Sequence, residues 1–96
     1  MKSIIQQDKR CFVCGATSKL HLHHCISGYG NRQKSDKYGL TVWLCYAHHV
    51  GKLGVHNNAS LAERIKKTAQ KEFEKTHSRN EFISQFGKNY LGEKYE

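Results

Sequence analysis

Cys11, Cys14, Cys45 and His48 form a C-x2-C pair, a gap of thirty residues and a C-x2-H pair. Three thiolates and one imidazole in two close pairs are a ligand set for tetrahedral zinc, each pair supplying one edge of the tetrahedron from a turn. All four positions come from the protein, so the zinc is expected to be structural and its binding energy to be folding energy. A redox pair at Cys11 and Cys14 would leave Cys45 and His48 without a role. Cys25 falls outside the spacing, between His24 and Ile26, and reads as a small buried thiol. Disulfides are the less suitable use of these cysteines, because the first pair is spaced as ligands and no signal peptide is apparent. A reduced, cytosolic setting is expected.

With His48 assigned to zinc, His21, His23, His24, His49 and His56 remain within one short stretch. Core histidines are usually isolated and satisfied by a backbone partner. That reading suits one of the five, His21, and suits the other four poorly, so a second, catalytic metal is the sharper expectation. His23 and His24 are neighbours at the end of an apparent strand, where successive side chains point to opposite faces. One is therefore expected to bind metal and the other to act as a general base. On an unbroken helix, His49 and His56 would be ~10 Å apart in rise, whereas two imidazole nitrogens on one metal lie within about 4 Å of each other. The helix must break between them, and Gly51 and Gly54 sit where the break is needed.

Strands and helices must position these groups. Leu20 and Leu22 alternate with His21 and His23, and Leu40, Val42 and Leu44 alternate with Thr41, Trp43 and Cys45, the period of half-buried strands that can pair as an antiparallel hairpin. The intervening ISGYGNRQKSDKYG is too long for a tight turn and rich in Gly, Lys, Arg and Ser, and it reads as a surface loop. YAHHVGKL permits a short helix that Gly51 and Gly54 would stop. Ser60 to Glu63 fits a capping box, with Leu61, Ile65, Ala69 and Phe73 forming an apolar helical stripe. Ser78 to Glu81 repeats the capping signature before Phe82, Ile83 and Phe86, and Gly87 suits a left-handed stop. The tail KNYLGEKYE trails off or packs through Tyr90 and Leu91.

The 96 residues have room for one domain, too small to be comfortable without a staple. Its expected parts are a zinc-bound core over 11–56 and a helical extension over 60–96. Nowhere do eighteen apolar residues follow one another, so no membrane span is expected. Sixteen Lys and Arg against eight Asp and Glu give a formal +8. Residues 1–59 hold eight basic and two acidic residues, +6, and residues 60–96 hold eight and six, +2. The basic excess thus lies with the cysteines and histidines, as a polyanionic partner would require.

The motif LHLHHCISG, the downstream LCYAHH and the final GVH resemble the HNH endonucleases, in particular the small zinc-containing branch common in bacteriophages and prophages. GYGNRQKSDKYG is similar to the Gly-rich loop with a K-x-D element that follows the paired histidines there. The resemblance runs from Cys11 to His56. It implies an α+β chain whose zinc-stapled ββα-metal core clasps one divalent ion, and the two C-terminal helices read from their own pattern follow that core outside the resemblance. It gives His23 the position of a metal ligand, His24 that of the general base, and His49 and His56 those of the other ligands, with Asn57 a rival to His56. The family's middle residue holds the loop by hydrogen bonds from its side chain to backbone, and Asp36 takes that place in preference to Asn31.

The activity implied is metal-dependent hydrolysis of DNA. His24 takes a proton from water, and Mg2+ or a similar ion stabilises the developing charge and the leaving 3′ oxygen. Neutral imidazole near pH 7 suits a base. Arg32, Lys34, Lys37 and Lys52 are expected phosphate contacts. The setting implied is the cytoplasm of a bacterial host carrying a phage or prophage. A non-catalytic zinc module that binds nucleic acid is the alternative. A nuclease toxin of the bacteriocin kind would share the chemistry but normally carries translocation domains. The sequence leaves the oligomeric state open.

Overall fold

A computed structural model describes residues 3–26, 30–51, 54–55 and 57–91. Those residues form a small α+β fold in the order β1 (Leu20–His24), α1 (Asn31–Tyr38), β2 (Thr41–Cys45), α2 (Tyr46–His49), α3 (Ala59–Phe73) and α4 (Arg79–Phe86). The strands pair antiparallel as expected, with Leu20 opposite Cys45, Leu22 opposite Trp43 and His24 opposite Thr41. Residues directly opposite share a face. His21 and His23, opposite Leu44 and Val42, therefore lie on the side of two fully buried residues, while Leu22 on the other side is 43% exposed. The alternation in β1 is real, but His21 and His23 share the face of these buried residues and the central leucine faces outward.

The segment between the strands is not the expected loop, because α1 occupies much of it. Its residues are polar, so the apolar stripe that marks a helix in sequence is missing. What holds the helix is polar: buried Ser35 accepts a hydrogen bond from the Ile26 N–H at 3.3 Å and donates one to the Ile26 carbonyl at 2.7 Å. Lys34 Nζ reaches the Gln85 carbonyl on α4 at 2.6 Å. Gly39 closes α1 in a left-handed conformation that glycine adopts without steric cost, and Leu40 N–H then bonds back to the Ser35 carbonyl at 2.8 Å.

The N-terminal arm covers the free edge of β2. Cys11 bridges Trp43, Phe12 N–H donates to the Trp43 carbonyl at 2.7 Å, and Gln6 Oε1 accepts from the Trp43 N–H at 2.7 Å. Beneath the sheet, Leu40, Val42 and Leu44 join Ile65, Ala69 and Phe73 of α3 and Phe82 and Phe86 of α4 in one core. The stripe on α3 is buried as its spacing requires, but the cap is Asn58, whose Oδ1 accepts from the Leu61 N–H at 3.1 Å, and not Ser60. NNAS offers several competent caps. On α4 the expected Ser78–Glu81 capping box and the left-handed Gly87 are both present. Among the described residues, no helix is long and apolar enough to cross a membrane.

Candidate metal centres and the histidine face

Cys11 and Cys14 lie on a turn in which the Gly15 N–H reaches the Cys11 carbonyl at 2.9 Å. Cys45 is the N-cap of α2, and His48 is three residues on, over the same side of the helix. The four ligand atoms lie within 4.8 Å of one another. Cys14 Sγ is 3.7 Å from Cys45 Sγ, and His48 Nδ1 is 3.7 Å from Cys11 Sγ and 3.2 Å from Cys45 Sγ. Tetrahedral zinc, with bonds of about 2.3 Å to sulfur and 2.0–2.1 Å to nitrogen, separates its ligands by about 3.5–3.8 Å. The cluster fits such an ion.

Electrostatics agrees with that fit. Burial works against ionisation of Cys11, but backbone N–H groups of Cys45, Cys14 and Val13 outweigh it and bring the thiol down to about 6. For Cys14, the favourable Ala16 N–H is overcome by desolvation and by the adjoining Cys11 and Cys45 sulfurs, and its pKa rises. A second thiolate is costly beside the first unless a cation lies between them. Cys25 is the buried thiol expected from its spacing, 2% exposed, and burial pushes it up to about 12.

The remaining histidines divide between the two faces of β1. His23 lies toward His49 of α2, with ring centroids 5.5 Å apart. His21 is closer still, its Nδ1 2.9 Å from that of His49 and the rings 5.0 Å apart edge to face. Sequence reasoning set His21 aside as a core residue with a backbone partner, and instead it meets another imidazole. The i, i+2 spacing of His21 and His23 was the available signal. Helix α2 ends at His49, and the chain doubles back so tightly that a methyl group on Gly54 would lie 2.7 Å from the His49 carbonyl. The required break is present after His49. His56 and Lys52 lie outside the described residues. Asn57, the rival ligand, donates its side-chain amide to the Gly51 carbonyl at 3.0 Å.

His24 faces the other way. Its Nε2 is 3.9 Å from Asp36 Oδ1, in a hollow of about 530 Å³ lined by Leu22, His24, Arg32, Gln33 and Asp36. Asp36 was expected to tie the segment to backbone, but its carboxylate is turned to His24. Ser35, one residue earlier, makes the two backbone hydrogen bonds. Among the expected phosphate contacts, Arg32 is exposed at this hollow, Lys37 is exposed with its ammonium 5.4 Å from the Tyr38 ring, and Lys34 is committed to α4.

No protein-family model, curated protein or solved structure matches the chain. The chemistry of these two clusters and the hollow at the end of β1 therefore carries the functional reading.

Proposed function

We propose that the chain is a metal-dependent DNA endonuclease of the HNH, ββα-metal type, in which β1, β2 and α2 form the ββα unit and His24 is the general base. The observation that carries this reading is the division of labour at the end of β1. His24 faces the carboxylate of Asp36 in an open hollow, while His23 and His21 approach His49 on the opposite face. An imidazole beside a carboxylate, next in sequence to an imidazole cluster, is an arrangement for activating water against a phosphodiester.

In this mechanism Asp36 steadies the His24 ring through Nε2, leaving Nδ1 to take the proton from the attacking water. Arg32, at the rim of the same hollow, binds a phosphate oxygen of the substrate strand. His23 and His49 are the residues that would hold a divalent ion such as Mg2+, with His56 as the third ligand of the motif and His21 beside them. Such an ion, when bound, supplies stabilisation of the charge on the scissile phosphate and its leaving 3′ oxygen. Cys11, Cys14, Cys45 and His48 hold the structural zinc and play no part in the proton transfer.

The test is plasmid nicking across Mg2+, Mn2+ and Ni2+ with purified protein. His24→Ala is expected to lower the cleavage rate at least ~100-fold while zinc content and unfolding midpoint stay unchanged. Metal-dependent cutting by that variant at the wild-type rate would remove His24 as the base. DNA binding without nicking in any of the three metals would leave the chain a non-catalytic zinc module.

A further inference from the structure

Helix α3 carries a surface for which the chemistry at β1 has no use. Arg64, Lys67 and Lys71 are all exposed on it. Two shallow hollows run along this side. One, of about 310 Å³, lies between Val13 and the zinc-cluster residue His48 on one side and the start of α3 on the other. The next, of about 380 Å³, continues past Lys67 to Lys71, and both are bordered by Ser60 and Arg64. Arg64 is seated with its guanidinium 5.6 Å from the ring of Phe12, which belongs to the Cys11–Cys14 turn. The groove thus begins at the zinc cluster and gains cations along its length.

Two carboxylates, one on this helix and one just after it, are already engaged. Glu72 pairs with Lys75 at 2.9 Å, and Glu74 is held by Arg79 at 3.1 Å and by Gln70 at 2.7 Å. Glu63 also borders the second hollow, and its charge reaches Tyr90, whose pKa is raised by burial and then by Glu63. Lys66 is turned to the same ring, 5.5 Å from its centroid. From Arg64 to Lys71 the helix rises about 10.5 Å. One strand of duplex DNA carries a phosphate every ~3.4 Å of axis, about three over that length. Three cations thus meet about three phosphates.

We infer that the groove along α3, with Arg64, Lys67 and Lys71 as its contacts, binds the phosphate backbone of duplex DNA at a distance in sequence from the proposed cleavage residues. The inference rests on the proposed partner, DNA, but not on the chemistry done to it. The probe is a fluorescein-labelled duplex of ~20 base pairs, titrated by anisotropy into zinc-loaded protein with no other divalent ion, over about 0.05 to 0.3 M KCl. Each phosphate contact contributes a slope of about −0.9 to log K against log salt. The triple variant R64Q/K67Q/K71Q is expected to reduce the magnitude of the slope by about 2 to 3 and the affinity at ~0.15 M salt by at least ~10-fold. A control with equal charge loss, K9Q/K19Q/K88Q, is expected to change the slope by less than ~0.5.

A groove variant whose slope stays within ~0.5 of wild type overturns the inference, as does an equal effect of the control. Absence of duplex binding by the wild type, or competition by polyglutamate equal to that of unlabelled duplex at matched charge, also overturns it. Zinc content and Trp43 emission report whether the triple variant folds. Where it does not, R64Q and K67Q singly are each expected to lower the slope by about 0.9, and no change in either overturns the inference. Duplex binding without nicking removes the nuclease and leaves the groove, whereas nicking with an unchanged slope does the reverse.

Discussion

The four cysteines show how strongly environment decides what one side chain does. Cys11, under three backbone N–H groups, is held near 6 and offers a thiolate at neutral pH, whereas buried Cys25 is moved from 9.0 to about 12 and stays a neutral thiol. A thiol whose pKa is raised by folding stabilises the native state below its unfolded value, and the contribution is lost as pH climbs toward the folded value. Between 9.0 and about 12 the unfolded chain has released the Cys25 proton and the native chain has not. Stability should therefore fall by about 1.4 kcal/mol per pH unit on account of this group. Urea unfolding at about pH 9 and pH 10.5 should show Cys25→Ala narrowing the loss between them by about 2 kcal/mol relative to wild type. An unchanged difference would mean the native thiol ionises freely. At this scale the sequence was most legible where spacing is local. C-x2-C and C-x2-H pick out unaided the four residues that the fold brings close enough to bind a metal ion, whereas the partnership of His21 with His49 depends on how β1 meets α2, which short-range spacing does not encode.

Among the elements, α2 joins the two candidate centres, because His48 belongs to one and His49 to the other. Its end is packed by the returning chain at Gly54, where a side chain would meet the His49 carbonyl at 2.7 Å. Gly54→Ala should force the backbone of that turn to move, costing about 1–3 kcal/mol by overpacking. It should weaken Ni2+ or Co2+ binding in zinc-loaded protein, measured by calorimetry, while zinc content is retained. Gly30→Ala is the comparison. It has open space but φ of +78°, so it should cost only the left-handed strain of about 1–2 kcal/mol and leave metal binding unchanged. Equal metal affinity in the two variants would separate the turn from the His49 site. The same contrast explains which elements the sequence disclosed. The stripe of α3 and the capping box of α4 follow from short-range pattern and are present. Helix α1 has no stripe to read, since it is held by Ser35 and Lys34 rather than by an apolar face. The cap of α3 falls on Asn58, whose Oδ1 accepts from the Leu61 N–H, two residues before the Ser60 to which the capping-box pattern points.

Across the whole molecule, the hairpin has a hydrophobic attachment beneath β2, through α3 and α4, and at its open end a Cys3His cluster close enough to bind a metal ion. Trp43, the chain's single tryptophan, lies at their junction, with its carbonyl bound to the Phe12 N–H and its backbone bridged to Cys11. Apparent zinc binding energies of about 10–16 kcal/mol in small structural sites match or exceed the ~5–15 kcal/mol by which a domain is stable. Removing the ion should therefore release the Cys11–Cys14 turn from α2 and abolish cooperative unfolding. Chelation at neutral pH, or Cys45→Ala, is expected to shift Trp43 emission to the red and to flatten the thermal transition, with zinc restoring both in the wild type alone. Unchanged Trp43 emission and an intact transition, in protein verified by elemental analysis to have lost its zinc, would show that the apolar attachment suffices and that the Cys3His cluster does not hold the fold together.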